Sequence, residues 1–80
     1  MKATVLVRPK DGVLDPQGEA VQGSLRKLGF DVGAVRVGRV IDVELGTADA
    51  TLAREQVERM CAELLANPLI ESVHIDLPEP

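Results

Sequence analysis

Ser72, His74 and Asp76 carry the residue types of a nucleophilic triad. They fall at i, i+2 and i+4 of a stretch in which Val73, Ile75 and Leu77 take the alternate positions, so they project side by side from one strand face, roughly 6.6 Å apart from one Cα to the next. A triad needs its histidine to bridge two groups that converge on it; this spacing predicts a solvated face with His74 at the surface or an interface. The chain has one histidine and one cysteine, which leaves no cluster with the ligand spacing of a zinc or iron–sulfur site and no internal disulfide. Cys61 sits within an apolar helical stripe, where a thiol acts as a small hydrophobe. The glycines match neither a phosphate-cradling loop nor a dinucleotide turn. Glu55, Glu58, Arg59 and Glu63 alternate in sign along one helix face, the pattern of a solvated surface, with Glu55 and Arg59 as an i, i+4 pair. No residue is assigned to catalysis, cofactor or metal.

Arg36 and Arg39 are the charges that need an explanation. From Val35 to Leu45 the odd positions read Val, Val, Arg, Ile, Val, Leu, so Arg39 lies on the apolar parity, where an unpaired guanidinium is costly to bury. Either Gly38 bends the strand and releases Arg39 to water, or a carboxylate at a subunit interface pairs with it. An acylphosphatase-like enzyme would need an arginine in the first loop, which Arg8 could supply, and an asparagine; the single asparagine, Asn67, precedes Pro68 and reads as a helix terminator.

The elements that hold these residues follow from periodicity. Residues 2 to 8 alternate, with Ala3, Val5 and Val7 on one face, as a strand does. Asp15 caps a helix that has Pro16 at its first position, carries Ala20, Val21, Leu25 and Leu28 as a stripe, and ends at Gly29. Residues 34 to 46 read as one long strand bent at Gly38 and shared with a neighbouring copy, the preferred geometry, or as two strands joined by the loop Gly38-Arg39-Val40. Thr47, Asp49 and Thr51 are candidate caps for a second helix with Ala53, Val57, Met60, Cys61 and Leu64 on its apolar face, stopped by Asn67-Pro68. A last strand covers residues 70 to 77. The order strand, helix, long strand or hairpin, helix, strand predicts an α+β, ferredoxin-like sheet, mostly antiparallel, with two helices on one face.

With 80 residues and a net charge of −4, the chain reads as a single domain, 1–80, small enough for self-association to be expected. A pI near 4.8 and a single aromatic residue, Phe30, argue against nucleic-acid binding. The apolar runs are far too short for a membrane span, the amino terminus lacks signal-peptide patterning, and one free cysteine suits a reducing cytoplasm.

Gly12-Val13-Leu14-Asp15-Pro16-Gln17-Gly18, followed by Ala20-Val21, Leu28-Gly29-Phe30 and Val35-Arg36-Val37-Gly38-Arg39, resembles the PurS family, small subunits of phosphoribosylformylglycinamidine synthase. Leu64-Leu65-Ala66-Asn67-Pro68 and Ile70-Glu71 extend the likeness over nearly the whole chain; Arg39 stands where lysine is more usual and His74 where tyrosine is common. The resemblance implies a non-catalytic subunit that associates with itself as a dimer or tetramer, with a large synthetase subunit that uses ATP and magnesium, and with a glutaminase subunit, so that ammonia reaches formylglycinamide ribonucleotide. Partner contacts are expected at three irregular places: Asp15, Pro16, Gln17 and Gly18; Arg36 and Arg39; Asn67 and Pro68. The alternative is a regulatory ferredoxin-like domain that binds a small molecule between copies.

Overall fold

The computed structural model describes residues 1 to 78. β1 (Lys2–Pro9) leads to α1 (Pro16–Lys27), β2 (Arg39–Glu44), α2 (Ala50–Met60), a π turn (Cys61–Leu65) and β3 (Glu71–Asp76). The sheet order is β2-β1-β3. Both pairings are antiparallel, and Val5 stands opposite Ile41 on one side and Ile75 on the other. This is the expected α+β class. β1 is central because its alternating β-branched residues offer one fully apolar face: Ala3, Val5 and Val7 are completely buried. Ala53, Val57 and Cys61 of α2 and its π turn cover that face, with Leu45 closing one end.

α2 starts where Asp49 Oδ1 accepts hydrogen bonds from the amides of Thr51 and Leu52 at 2.9 and 3.3 Å, satisfying two of the four free donors of its first turn. At its other end the Ala66 amide donates to the Cys61 carbonyl at 3.2 Å, five residues back. That wider turn shifts the helical phase by one residue. Leu65 therefore packs against the core, while Leu64, expected on the buried stripe, is 84% exposed.

α1 begins and ends as its sequence dictates. Asp15 caps the Gly18 amide at 3.1 Å and Pro16 occupies the first turn. At the far end the Phe30 amide reaches the Leu25 carbonyl and the Gly29 amide that of Arg26, a Schellman closure with Gly29 at φ +97°. The expectation of two helices on one sheet face is met by α2 alone. α1 adds no residue to the core; Gly18 is its one buried position, and Val21 and Leu28 of its stripe stay exposed. A compact 80-residue chain has a radius of gyration of about 12 Å; here it is 15.9 Å, with extents of 48 × 24 × 14 Å.

The long strand over residues 34 to 46 is the second difference. Strand pairing begins at Arg39, and the preceding residues neither extend β2 nor fold back on it as a three-residue hairpin. They run beside α1 instead. The carbonyls of Gly33 and Val32 accept from the side chains of Gln22 and Arg26, and the Val37 amide donates to Asp15. Gly18 makes this path possible, because a Cβ there would collide with the Val35 carbonyl.

Candidate functional site

Asp15 does more than cap α1. While Oδ1 holds Gly18, its Oδ2 accepts the Val37 amide at 2.8 Å, so one buried carboxylate ties the start of α1 to the segment entering β2. Those two amides, Val37 first, hold its carboxyl below the usual aspartate range. Arg36, next along, donates to the carbonyls of Val13 (3.0 Å) and Lys10 (2.7 Å). The loop after β1 is thus closed against residues 36 and 37 from two sides.

Arg39 follows neither of its two expected courses. Its guanidinium donates to Glu71 of its own chain, Nη1 to Oε2 at 2.7 Å and Nη2 to Oε1 at 3.3 Å, and Nη2 also meets the Leu65 carbonyl. The bidentate fork is the strong geometry for this pair. Glu71 Oε1 accepts the Asn67 amide as well, at 2.7 Å. Arg39 first and Asn67 second hold the Glu71 carboxyl low, and Glu71 in turn raises Arg39. Asn67 organises the turn: its Oδ1 accepts from the Leu69 amide and its carbonyl from the amides of Ile70 and Glu71.

The three irregular places thus converge on one end of the sheet, where β1 leaves and β2 and β3 enter. A cavity of about 350 Å³ there is lined by Asp15, Pro16 and Gln17 together with Arg39, Ile70 and Glu71. Pro16, Gln17, Asn67 and Pro68 are exposed around it and Gly18 is buried beneath it. The surface is apolar as well: Leu14 and Leu69 are 82% and 83% exposed. Sequence reasoning missed Glu71, Leu14 and Leu69. Glu71 had a usable signal, since it shares the apolar parity of Val73 and Ile75 just as Arg39 shares that of Ile41 and Val43; two misplaced opposite charges invite each other.

Ser72, His74 and Asp76 stand in a row on β3 opposite Arg8, Leu6 and Thr4, and Ser72 Oγ donates to the Arg8 carbonyl at 3.5 Å. They do not converge. Arg59 pairs with Glu63 at 3.4 Å rather than with Glu55. Cys61 is buried, and desolvation, with Glu58 second, pushes its thiol up. Among the described residues no group of three or more His, Cys, Asp or Glu side chains is arranged to hold a metal ion, and no helix is long and apolar enough to cross a membrane.

The end of the sheet is thus built of caps, turns and exposed apolar side chains. The family model for PurS, phosphoribosylformylglycinamidine (FGAM) synthase, matches residues 2–79. The chain belongs to the PurS family. The phosphoribosylformylglycinamidine synthase subunit PurS of Methanocaldococcus jannaschii is 41% identical over 75 residues, covering 92% of this chain and 90% of that protein. The Bacillus subtilis PurS crystal structure superposes with a TM-score of 0.86 at 38% identity, covering 98% of both chains. A chain of the Thermotoga maritima PurLQS structure does so at 0.84 and 33%, covering 94% and 93%. PurS membership also agrees with the α+β architecture described above.

Proposed function

We propose that the chain is the small, non-catalytic subunit of FGAM synthase in purine biosynthesis, and that it works by docking. In this reading it brings a large ATP-dependent synthetase subunit together with a glutaminase subunit and helps ammonia released from glutamine reach formylglycinamide ribonucleotide. ATP and magnesium belong to the large subunit, and the complex works in the cytoplasm. The observation that carries the reading is the family match over residues 2–79, together with the likeness to a chain of a PurLQS assembly. The end of the sheet that gathers Asp15, Pro16, Gln17 and Gly18, Arg36 and Arg39, Asn67 and Pro68 is the surface we assign to the larger partners. Its rigid turns and exposed Leu14 and Leu69 give shape and apolar area together.

The chain also associates with itself in this reading. α1 leaves Val21, Leu28 and Phe30 exposed, β2 has an open outer edge, and residues 32 to 37 are tied to α1 and its cap. Open edges and unburied helix faces are what a second copy covers. Light scattering after size-exclusion chromatography tests both parts. The pure chain should elute as a dimer or tetramer, and adding the synthetase and glutaminase subunits with glutamine, magnesium and ADP should shift it into a complex with glutamine-dependent amidation. A chain that stays monomeric and ignores both proteins overturns the reading.

A further inference from the structure

α2 covers one face of the sheet; on the other, Leu6 lies in a row with Val40 and His74, and two residues further along β1 Arg8 lies beside Ser72. Two adjoining cavities open there, of about 380 and 340 Å³, at the lower end of the range of about 300–1,000 Å³ for small-molecule sites. Leu6 and Arg8 line both; Arg36, Gly38 and Val40 add to the first, Ser72 and His74 to the second. Among the described residues no carboxylate lines either one, although the chain carries a net charge of −4. Arg36 is already oriented by the carbonyls of Val13 and Lys10, which leave it donors to spare and do not neutralise it. Asp15, whose carboxyl feels Arg36, is buried and committed to the amides of Gly18 and Val37. Arg8 is exposed and in no ion pair among the described residues, whereas Arg39 at the rim is spent on Glu71. Gly38 brings the two free arginines to one cavity. A Cβ there would strike the Val7 carbonyl and press on Arg8 Cγ at 3.3 Å, so glycine lets the segment that carries Arg36 lie this close to β1.

Two guanidinium groups lining one cavity from neighbouring segments suit an anion with more than a single charge and more than a pair of oxygens. We propose that this end of the open face binds a phosphomonoester carried on a small, flat organic body, the chemistry of a nucleoside monophosphate. Arg8 and Arg36 hold the phosphoryl group in fork contacts; a carboxylate, with its single charge, satisfies only one of them. Ser72 supplies a further donor, because its hydroxyl bond to the Arg8 carbonyl, at 3.5 Å, is at the limit of length and easily exchanged. Leu6 and Val40, the latter 62% exposed, form an apolar floor for the body of the ligand, and His74 flanks it. A free phosphate would use the arginines and leave that floor uncovered. The site is open to water, so binding is modest and falls as salt rises. It shares only Arg36 with the docking turns and does not depend on the docking role.

Nuclear magnetic resonance titration of the full, isotopically labelled chain tests it, with AMP, inorganic phosphate and adenosine as probes. AMP should bind saturably and shift the amides of Leu6, Arg8, Val40 and Ser72. Phosphate should act at the same residues more weakly, and adenosine should not bind. Arg8→Gln should weaken AMP binding at least about tenfold, and Arg8→Lys should recover only part, since lysine keeps the charge and loses the fork. Arg54→Gln, which removes an exposed arginine from α2, should leave binding unchanged. Circular dichroism checks that each variant keeps the fold. No saturable shift with AMP, wild-type affinity in Arg8→Gln, or equal losses in Arg8→Gln and Arg54→Gln overturns the proposal. Phosphate binding as tightly as AMP overturns the monoester in favour of a free anion. Every reading is taken on the chain alone, so failure here is distinguishable from failure to assemble with the synthetase and glutaminase subunits.

Discussion

The guanidinium of Arg39 on β2 and the carboxylate of Glu71 on β3 meet 2.7 Å apart although β1 lies between their strands. Together with the Leu65 carbonyl and the Asn67 amide they tie three parts of the chain that the sheet ladder alone does not join. An arginine on the apolar parity is thus the anchor of the site's far side.

Reversing that anchor should hurt the isolated fold, not only assembly. Arg39→Glu sets two carboxylates against each other and leaves the Leu65 carbonyl without its donor, so thermal unfolding should move down by several degrees. The swap Arg39→Glu with Glu71→Arg should recover part of the loss. A melting curve of Arg39→Glu that overlays the wild type would remove the pair from the stability account.

Acid should loosen the site before the core. The carboxyls of Asp15 and Glu71 are both depressed in the fold. Their contribution is present above the unfolded pKa and is lost as pH falls through the folded one. Urea midpoints should hold from neutral pH to about 5 and decline below about 4. Glu71→Gln should flatten part of that decline; an unchanged slope would contradict the assignment.

Two glycines of the same helix should behave oppositely. At Gly18 a Cβ has the Val35 carbonyl and the Asp15 carboxylate in its way, whereas Gly23 faces open space. Gly18→Ala should detach residues 35 to 37, seen as faster hydrogen exchange at Val37. Gly23→Ala should stabilise by about 0.5–1 kcal/mol.

Neighbouring leucines should differ as well. Leu65→Ala should cost about 1–2 kcal/mol because Leu65 packs on the core, and Leu64→Ala less than about 0.5 kcal/mol in the isolated chain. Alkylation of Cys61, buried with its thiol pushed up, should be slow in the native protein and fast in urea. Equal losses at the two leucines would show that the π turn does not set the phase.

The strands and caps were legible in the residues because each rests on local chemistry: alternation in β1, Asp15 and Asp49 at helix starts, Gly29 at a helix end. Three features were not. The π turn at Cys61 shifts the phase by a residue that periodicity cannot see. Residues 34 to 38 continue the alternation of β2, yet alternation says nothing about which edge they join, and Asp15 draws them to α1. Arg39 and Glu71 each broke a parity rule on separate strands, and only the three-dimensional order lets one explain the other. The residues proposed for docking were placed by family likeness and by irregular turns; their meeting at one end is a product of topology.

An arm such as α1 ties the lifetime of the chain to company. Its stripe finds no burial in the protomer, and residues 31 to 38 beside it are held mainly by side-chain contacts. Segments of that kind open locally at small cost and are where proteases cut first. Covering that stripe with another chain would slow such cleavage, so the arm's sensitivity to protease reads out whether it is covered.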